Sequence, residues 1–213
     1  MIFPRFLRIL VLSSLPLITH ASFLPGSLDQ HPRAAAVLAE KFIHVTGSGQ
    51  VDITFEQASA LLQRPDLLTD IQTAYAALLQ EGQKPEFVIQ AVEPGEYFFE
   101  NRHRQTTRIF ELKRQENEAG GIDFVLFAQG TRSFGDFQSL THIQIQSCPE
   151  NPEITLWEVQ VFAYPENSMS RFFARNFGIA QRFFRSKTRE ISGLAVEISE
   201  FFAASEFSEA GLR

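Results

Sequence analysis

Residues 168–204 read SMSRFFARNFGIAQRFFRSKTREISGLAVEISEFFAA, and their periodicity decides the fold. At about 100° per residue, Phe173, Phe177, Ala180, Phe184, Ile191, Ala195 and Phe202 share one face of a helix. Phe172, Phe183, Leu194 and Phe201 widen that face into a stripe that must lie against a sheet or another helix. Arg171, Arg175, Arg182, Arg185 and Arg189 fall within roughly 40° of a common line on the opposite side. Ser168 or Ser170 supplies a cap, Pro165 blocks extension backwards, and Gly178 is the weak point where a first turn kinks away from the main helix. Phe184 and Ile191 are therefore expected to be buried.

Upstream of this helix the period changes. Residues 32–39 read as a short helix, and 42–51 as a first strand bent at Gly47 and Gly49. Thr54 with Gln57 makes a capping box for a helix that buries Phe55, Ala58, Leu61 and Leu62. Pro65 and Asp66 open a second helix carrying Leu68, Ile71, Ala74, Tyr75, Leu78 and Leu79, and Gly82 ends the pair. From residue 84 to 164 the apolar positions recur every second residue. Phe87, Ile89 and Ala91 are followed by a Pro94-Gly95 turn, and 97–100 and 108–113 are further strands. Ile122, Phe124, Leu126 and Ala128 then mark a core face, as do Thr141, Ile143 and Ile145, and finally Trp157, Val159, Val161 and Ala163. Short loops between consecutive strands imply an antiparallel meander. The expected class is α+β: an antiparallel curved sheet, a helix pair near the N-terminus and a long C-terminal helix packed on the sheet.

With 42–52 as first strand, 54–79 as helix pair and 168–204 as the final helix, this order resembles the helix-grip fold of the START and polyketide-cyclase-like superfamily. The resemblance implies a curved sheet gripping the long helix, with an apolar ligand held between them. That superfamily is largely intracellular, and here the chain departs from it.

Residues 1–21 have the pattern of a signal peptide: Arg5 and Arg8, an apolar run to Ile18, then small residues at Thr19 and Ala21. The run is short for a membrane span, so export to the periplasm or medium is expected, with the mature chain starting at Ser22. The expected organisation is a leader over 22–40, held by nothing as far as Gln30, a single α+β domain over 41–204 and a tail over 205–213. Loss of Arg5 and Arg8 takes the net charge from −6 to about −8, which speaks against nucleic-acid binding. Twenty-two Phe against three Tyr and one Trp imply a large apolar interior or an apolar cavity. The single Cys148 makes no internal disulfide.

Candidate chemistry is sparse. His44, His103 and His142 have no metal-ligand spacing, no G-x-S-x-G occurs, and Gly47-Ser48-Gly49 lacks a following Lys. Glu96, Glu100 and Glu111 lack an acid partner. The loop over 130–136 is the most distinctive, and Arg132 with Asp136 is expected to form a local ion pair there. No cofactor or metal is implied, and the balance lies against an enzyme. Two functions remain. One is a binding module with a cavity lined by Phe124, Leu126, Ile143, Trp157, Val159, Phe177, Ala180 and Phe184, open to an apolar or lipid-like small molecule. The other is an interaction protein whose Arg171, Arg175, Arg182, Arg185 and Arg189 contact a membrane surface or an acidic partner. The Arg stripe opposes the helix dipole, so an outside anion would offset its cost. Oligomeric state is open.

Overall fold

The computed structural model describes residues 28, 31–40, 42–80, 82–132, 135–166 and 178–210, with side chains of the last helix described over 182–202. In chain order the elements are α1 (Pro32–Leu38), β1 (Ile43–Val51), α2 (Phe55–Leu62), α3 (Leu67–Leu78), β2 (Phe87–Glu93), β3 (Glu96–Asn101), β4 (Thr106–Glu116), β5 (Ile122–Arg132), β6 (Gly135–Ser147), β7 (Thr155–Pro165) and α4 (Ile179–Ala210). Residues 1–21, Phe173, Phe177, Arg171 and Arg175 lie outside the described residues, as does the side chain of Ala180.

The strands form one curved antiparallel sheet in the order β1-β7-β6-β5-β4-β3-β2. The meander runs from β2 to β7, and β1 closes the order beside β7. Register shifts after Ala91 and after Glu111 place bulges in β2 and β4, which bend strands and increase their twist. The capping box forms as expected, with Thr54 Oγ1 accepting from the Gln57 N–H and Gln57 Oε1 accepting from the Thr54 N–H. Gly178 sits at φ +62°, a left-handed conformation that stops helix propagation, and α4 starts at the next residue.

Both faces of the sheet are covered. On the outer face α1 packs with Phe110, Val125, Phe127, Leu140 and Phe162. Leu28, Ala34 and Val37 belong to that core, so the folded body reaches back into the segment expected to be a loose leader. The reason is that Val125 and Phe127 alternate with Phe124 and Leu126 along β5, leaving an apolar outer patch that needs a lid. The helix pair and α4 lie on the inner face. α4 packs on β1 and β7, α3 packs on β2, and their ends meet α2 at one end of the sheet. The Gln72 side chain accepts from the Ile89 N–H at 2.9 Å, and the Tyr75 hydroxyl accepts from the Glu86 N–H at 3.2 Å, fixing α3 against β2.

One expectation about α4 fails. Phe184 is 7% exposed and packs edge-on against Phe137, whereas Ile191 is 63% exposed. The two lie seven residues apart on the same helical line, as does Ile198 at 3%. The helix is anchored at both ends of that line and stands clear of the protein in the middle. Phe184→Ala should therefore cost about 3–5 kcal/mol, while Ile191→Ala should leave the denaturation midpoint nearly unchanged; urea melts of the two variants check the contrast.

Candidate functional site

The inner face can be followed row by row, because register places side chains from neighbouring strands side by side. At the α2 end, Trp157, Ile145 and Ile122 form one row and pack against Ala58 and Leu61. Trp157 covers Gly49, where a Cβ would stand 2.7 Å from the ring. The next row runs Gly47, Val159, Ile143, Phe124 and Arg114. A third holds Val161, Thr141, Leu126 and Glu111, and a fourth Ser139, Ala128, Ile109 and Tyr97. The last holds Phe137, Gly130, Thr107 and Phe99.

In the middle of these rows Ile109, Leu126, Ala128, Thr141 and Ile143 are only half-buried. They form a half-buried strip on the inner face, the face on which α3 and α4 also pack. Of the expected lining residues, Leu126 and Ile143 are on this strip. Phe124, Val159 and Phe184 share the face but are packed tightly, at 2%, 8% and 7% exposure. Trp157 is half-buried, with its Nε1–H enclosed and without an acceptor.

The strip is polar at both ends, and the two ends differ. Near α2, Arg114 donates from Nη2 to Glu111 Oε2 and from Nη1 to the Arg64 carbonyl, and its guanidinium lies 4.9 Å above the Phe124 ring. This pair is electrically neutral and ties the α2–α3 connection to the sheet. Arg114 Nε is enclosed without an acceptor. Beside it Tyr97 is buried, and its hydroxyl donates to the Pro65 carbonyl at 3.5 Å. Burial pushes the phenol pKa up, Glu111 and Asp66 push it further, and Arg114 opposes them.

At the opposite end Arg132 lies between Phe99 and Phe137, with ring centroids 5.5 and 5.3 Å from its guanidinium carbon. Its Nη1 donates to the carbonyls of Thr131 and Thr106 at 2.9 and 3.3 Å, and Nη2 donates to Thr107 Oγ1 at 2.6 Å. The expected ion pair with Asp136 is not made. Asp136 accepts instead from the Thr131 hydroxyl at 2.6 Å, because Thr131 and Asp136 are directly paired across the β5–β6 hairpin while Arg132 points to the inner face. Burial alone lowers the Arg132 pKa.

Sequence reading missed a second polar cluster on the outer face. Asp123 and His142 are both buried, His142 Nε2 and Asp123 Oδ1 are 3.1 Å apart, and Gln144 and Asn117 also donate to that oxygen. Their spacing in sequence carries no signal, since β5–β6 register alone brings them together. Among the described residues no group of three or more His, Cys, Asp or Glu is placed to hold a metal ion, and no helix is long and apolar enough to cross a membrane. A shallow open depression of about 340 Å³ on the β2–β3 edge includes Phe87, Val88, Phe98 and Arg102; Arg102 already pairs with Glu86 there. On the outward line of α4, Arg182, Arg185 and Arg189 are exposed and make no ion pair among the described residues, while Lys187 pairs with Glu190 at 2.6 Å.

No family model matches the sequence, and no curated protein matches it. Among solved structures, a conserved protein from Geobacillus kaustophilus is similar with a TM-score of 0.50 at 14% identity, over 76% of this chain and 96% of that one. A hypothetical protein from Helicobacter pylori aligns over 80% of this chain and 92% of its own, with TM-score 0.46 and 7% identity. The Geobacillus likeness shows a shared fold: a sheet holding a long C-terminal helix, the helix-grip arrangement.

Where α4 passes the β1–α2 connection, Glu200 is held above its ordinary pKa by partial desolvation, with Asp52 and Glu197 adding repulsion. A carboxyl raised in the folded state contributes stability that is present below its unfolded pKa and lost as pH rises through the folded one. Glu200→Gln should melt higher than the parent at neutral pH and level with it near about pH 3, below the carboxylate range. Thermal melts across that range give the comparison; a parent that melts higher at pH 7 overturns the assignment.

Proposed function

We propose that the protein is a binding module of the START-like type that holds an apolar or lipid-like small molecule in a groove on the inner face without transforming it. The observation that carries this reading is the uncovered middle of α4. Ile191 lies in line with two buried anchors yet is 63% exposed, and Ile109, Leu126 and Ile143 on the inner face that α4 packs on are left only half-buried. Apolar surface left open between packed elements is costly in water, and a guest that covers it recovers the burial free energy at about 25 cal/mol per Å². An apolar floor with aromatic residues at both ends and a few polar groups among them matches the composition of small-molecule pockets. A fluorescent fatty acyl probe should bind at one site per chain. Ala128→Phe, which fills the floor, should weaken that binding at least about tenfold with the fold intact by circular dichroism. A probe that does not bind, or that binds both proteins equally, removes the groove reading.

A second reading rests on Arg182, Arg185 and Arg189, three exposed cations on one line of α4 without ion-pair partners among the described residues. In a chain of net charge −6 they form a local basic strip. Near an anionic bilayer each such residue contributes about 1 kcal/mol of attraction. Sedimentation with vesicles containing 30% phosphatidylglycerol should carry down the parent at low salt and release the triple Arg→Gln variant. Equal partition of the two would exclude the strip as a membrane contact.

A further inference from the structure

We infer that Arg132 is an anion subsite at the open end of the groove, and that the ligand is an amphipathic acid whose carboxylate it receives. The inference rests on the groove reading and specifies the ligand class. A guanidinium has five N–H donors. Three find protein acceptors here, the carbonyls of Thr106 and Thr131 and the hydroxyl of Thr107. Among the described residues the Nε–H and one Nη2–H find no acceptor, and every acceptor engaged is neutral. The cation is partly desolvated, and no carboxylate offsets that cost. A half-buried charge without a counter-charge is unfavourable unless something supplies one.

Its placement connects it to the groove. Arg132 follows Leu126, Ala128 and Gly130 on the same face of β5, since side chains two apart share a face. Gly130 adds no side chain between Arg132 and Ala128, about 13 Å apart along the strand, and the Thr107 Oγ1 that the guanidinium engages lies against Gly130. Phe99 and Phe137 flank the guanidinium, and the three hydrogen bonds hold it in one orientation. A preset fork with two free donors suits the planar, two-oxygen geometry of a carboxylate. The other end of the groove has no such appetite for charge, because Arg114 is neutralised by Glu111. An acyl chain would lie over Leu126 and Ile143 with its head at Arg132 and its tail toward Phe124.

The test compares palmitic acid, its methyl ester and monohexadecyl phosphate by displacement of the fluorescent acyl probe. Wild type should bind the acid at least about tenfold more tightly than the ester, and Arg132→Gln should erase that difference while still binding the ester. Arg132→Lys, which keeps the charge but loses the fork, should retain part of the preference. Acid and ester binding wild type equally would overturn the anion subsite and leave the groove standing. A preference for the acid that survives in Arg132→Gln would do the same. A phosphate that binds more tightly than the acid would overturn the carboxylate assignment. If none of the three binds wild type, the groove reading falls and the subsite falls with it. If Arg132→Gln does not fold, the acid-to-ester ratio of wild type together with Arg132→Lys decides the matter.

Discussion

The close approach of α4 to β1 is the contact on which the rest of the structure depends. Gly47 and Gly49 present bare backbone on the inner face. The Thr188 methyl lies 3.4 Å from where a Gly47 Cβ would stand, and the Trp157 ring occupies the space above Gly49. A side chain at Gly49 would displace the Trp157 ring, and one larger than alanine at Gly47 would press on Val159 and Thr188. With glycine there, Phe184 reaches Val159, Val161 and Phe137, and Val196 and Phe202 reach the α2 core farther on. Between these contacts Thr188 is buried while Ile191, three residues on, is exposed. The apolar surface left open at Ile191 therefore sits between two anchored stretches of one helix.

That open surface alone would say only that something apolar fits. Electrostatics separates the ends. Arg114 and Glu111 cancel one another beside a buried phenol, which closes that end to a charged group while leaving one enclosed N–H. Arg132 is oriented by carbonyls and a hydroxyl, none of which removes its charge. A ligand entering this space therefore meets a polarity gradient along its length, and that gradient would set its direction.

Period and turn chemistry made most of the fold legible. The Thr54–Gln57 box, the break at Arg64-Pro65, the alternation through β2 to β7 and the stop at Gly178 are local features whose physics is complete within a few residues. What could not be read depends on distance. Ile191 occupies the same wheel position as Phe184, and nothing in the helix itself tells which of the two is covered. Leu28 was expected to be free because its neighbours are polar, yet an apolar outer face of β5 draws it in. Arg132 was expected to pair with Asp136, the nearest acid along the chain, and strand parity put them on different partners. The Asp123–His142 contact likewise exists only through register. Leu126 and Ile143 were read correctly as inner-face residues, while Phe124, Val159 and Phe184, read with them, proved to be filled core.

The way α3 is fastened to β2 has a consequence for solubility. β2 ends the sheet, so its outward N–H groups face no strand, and Val88 and Val92 are exposed there. Such a border recruits other extended chains. The Gln72 amide oxygen occupies one of the positions a newcomer would need, the Ile89 N–H, and the Tyr75 hydroxyl holds α3 to Glu86 just ahead of β2. Gln72 thus serves as a stopper against runaway strand addition, and any loosening of α3 would reopen that border to self-association.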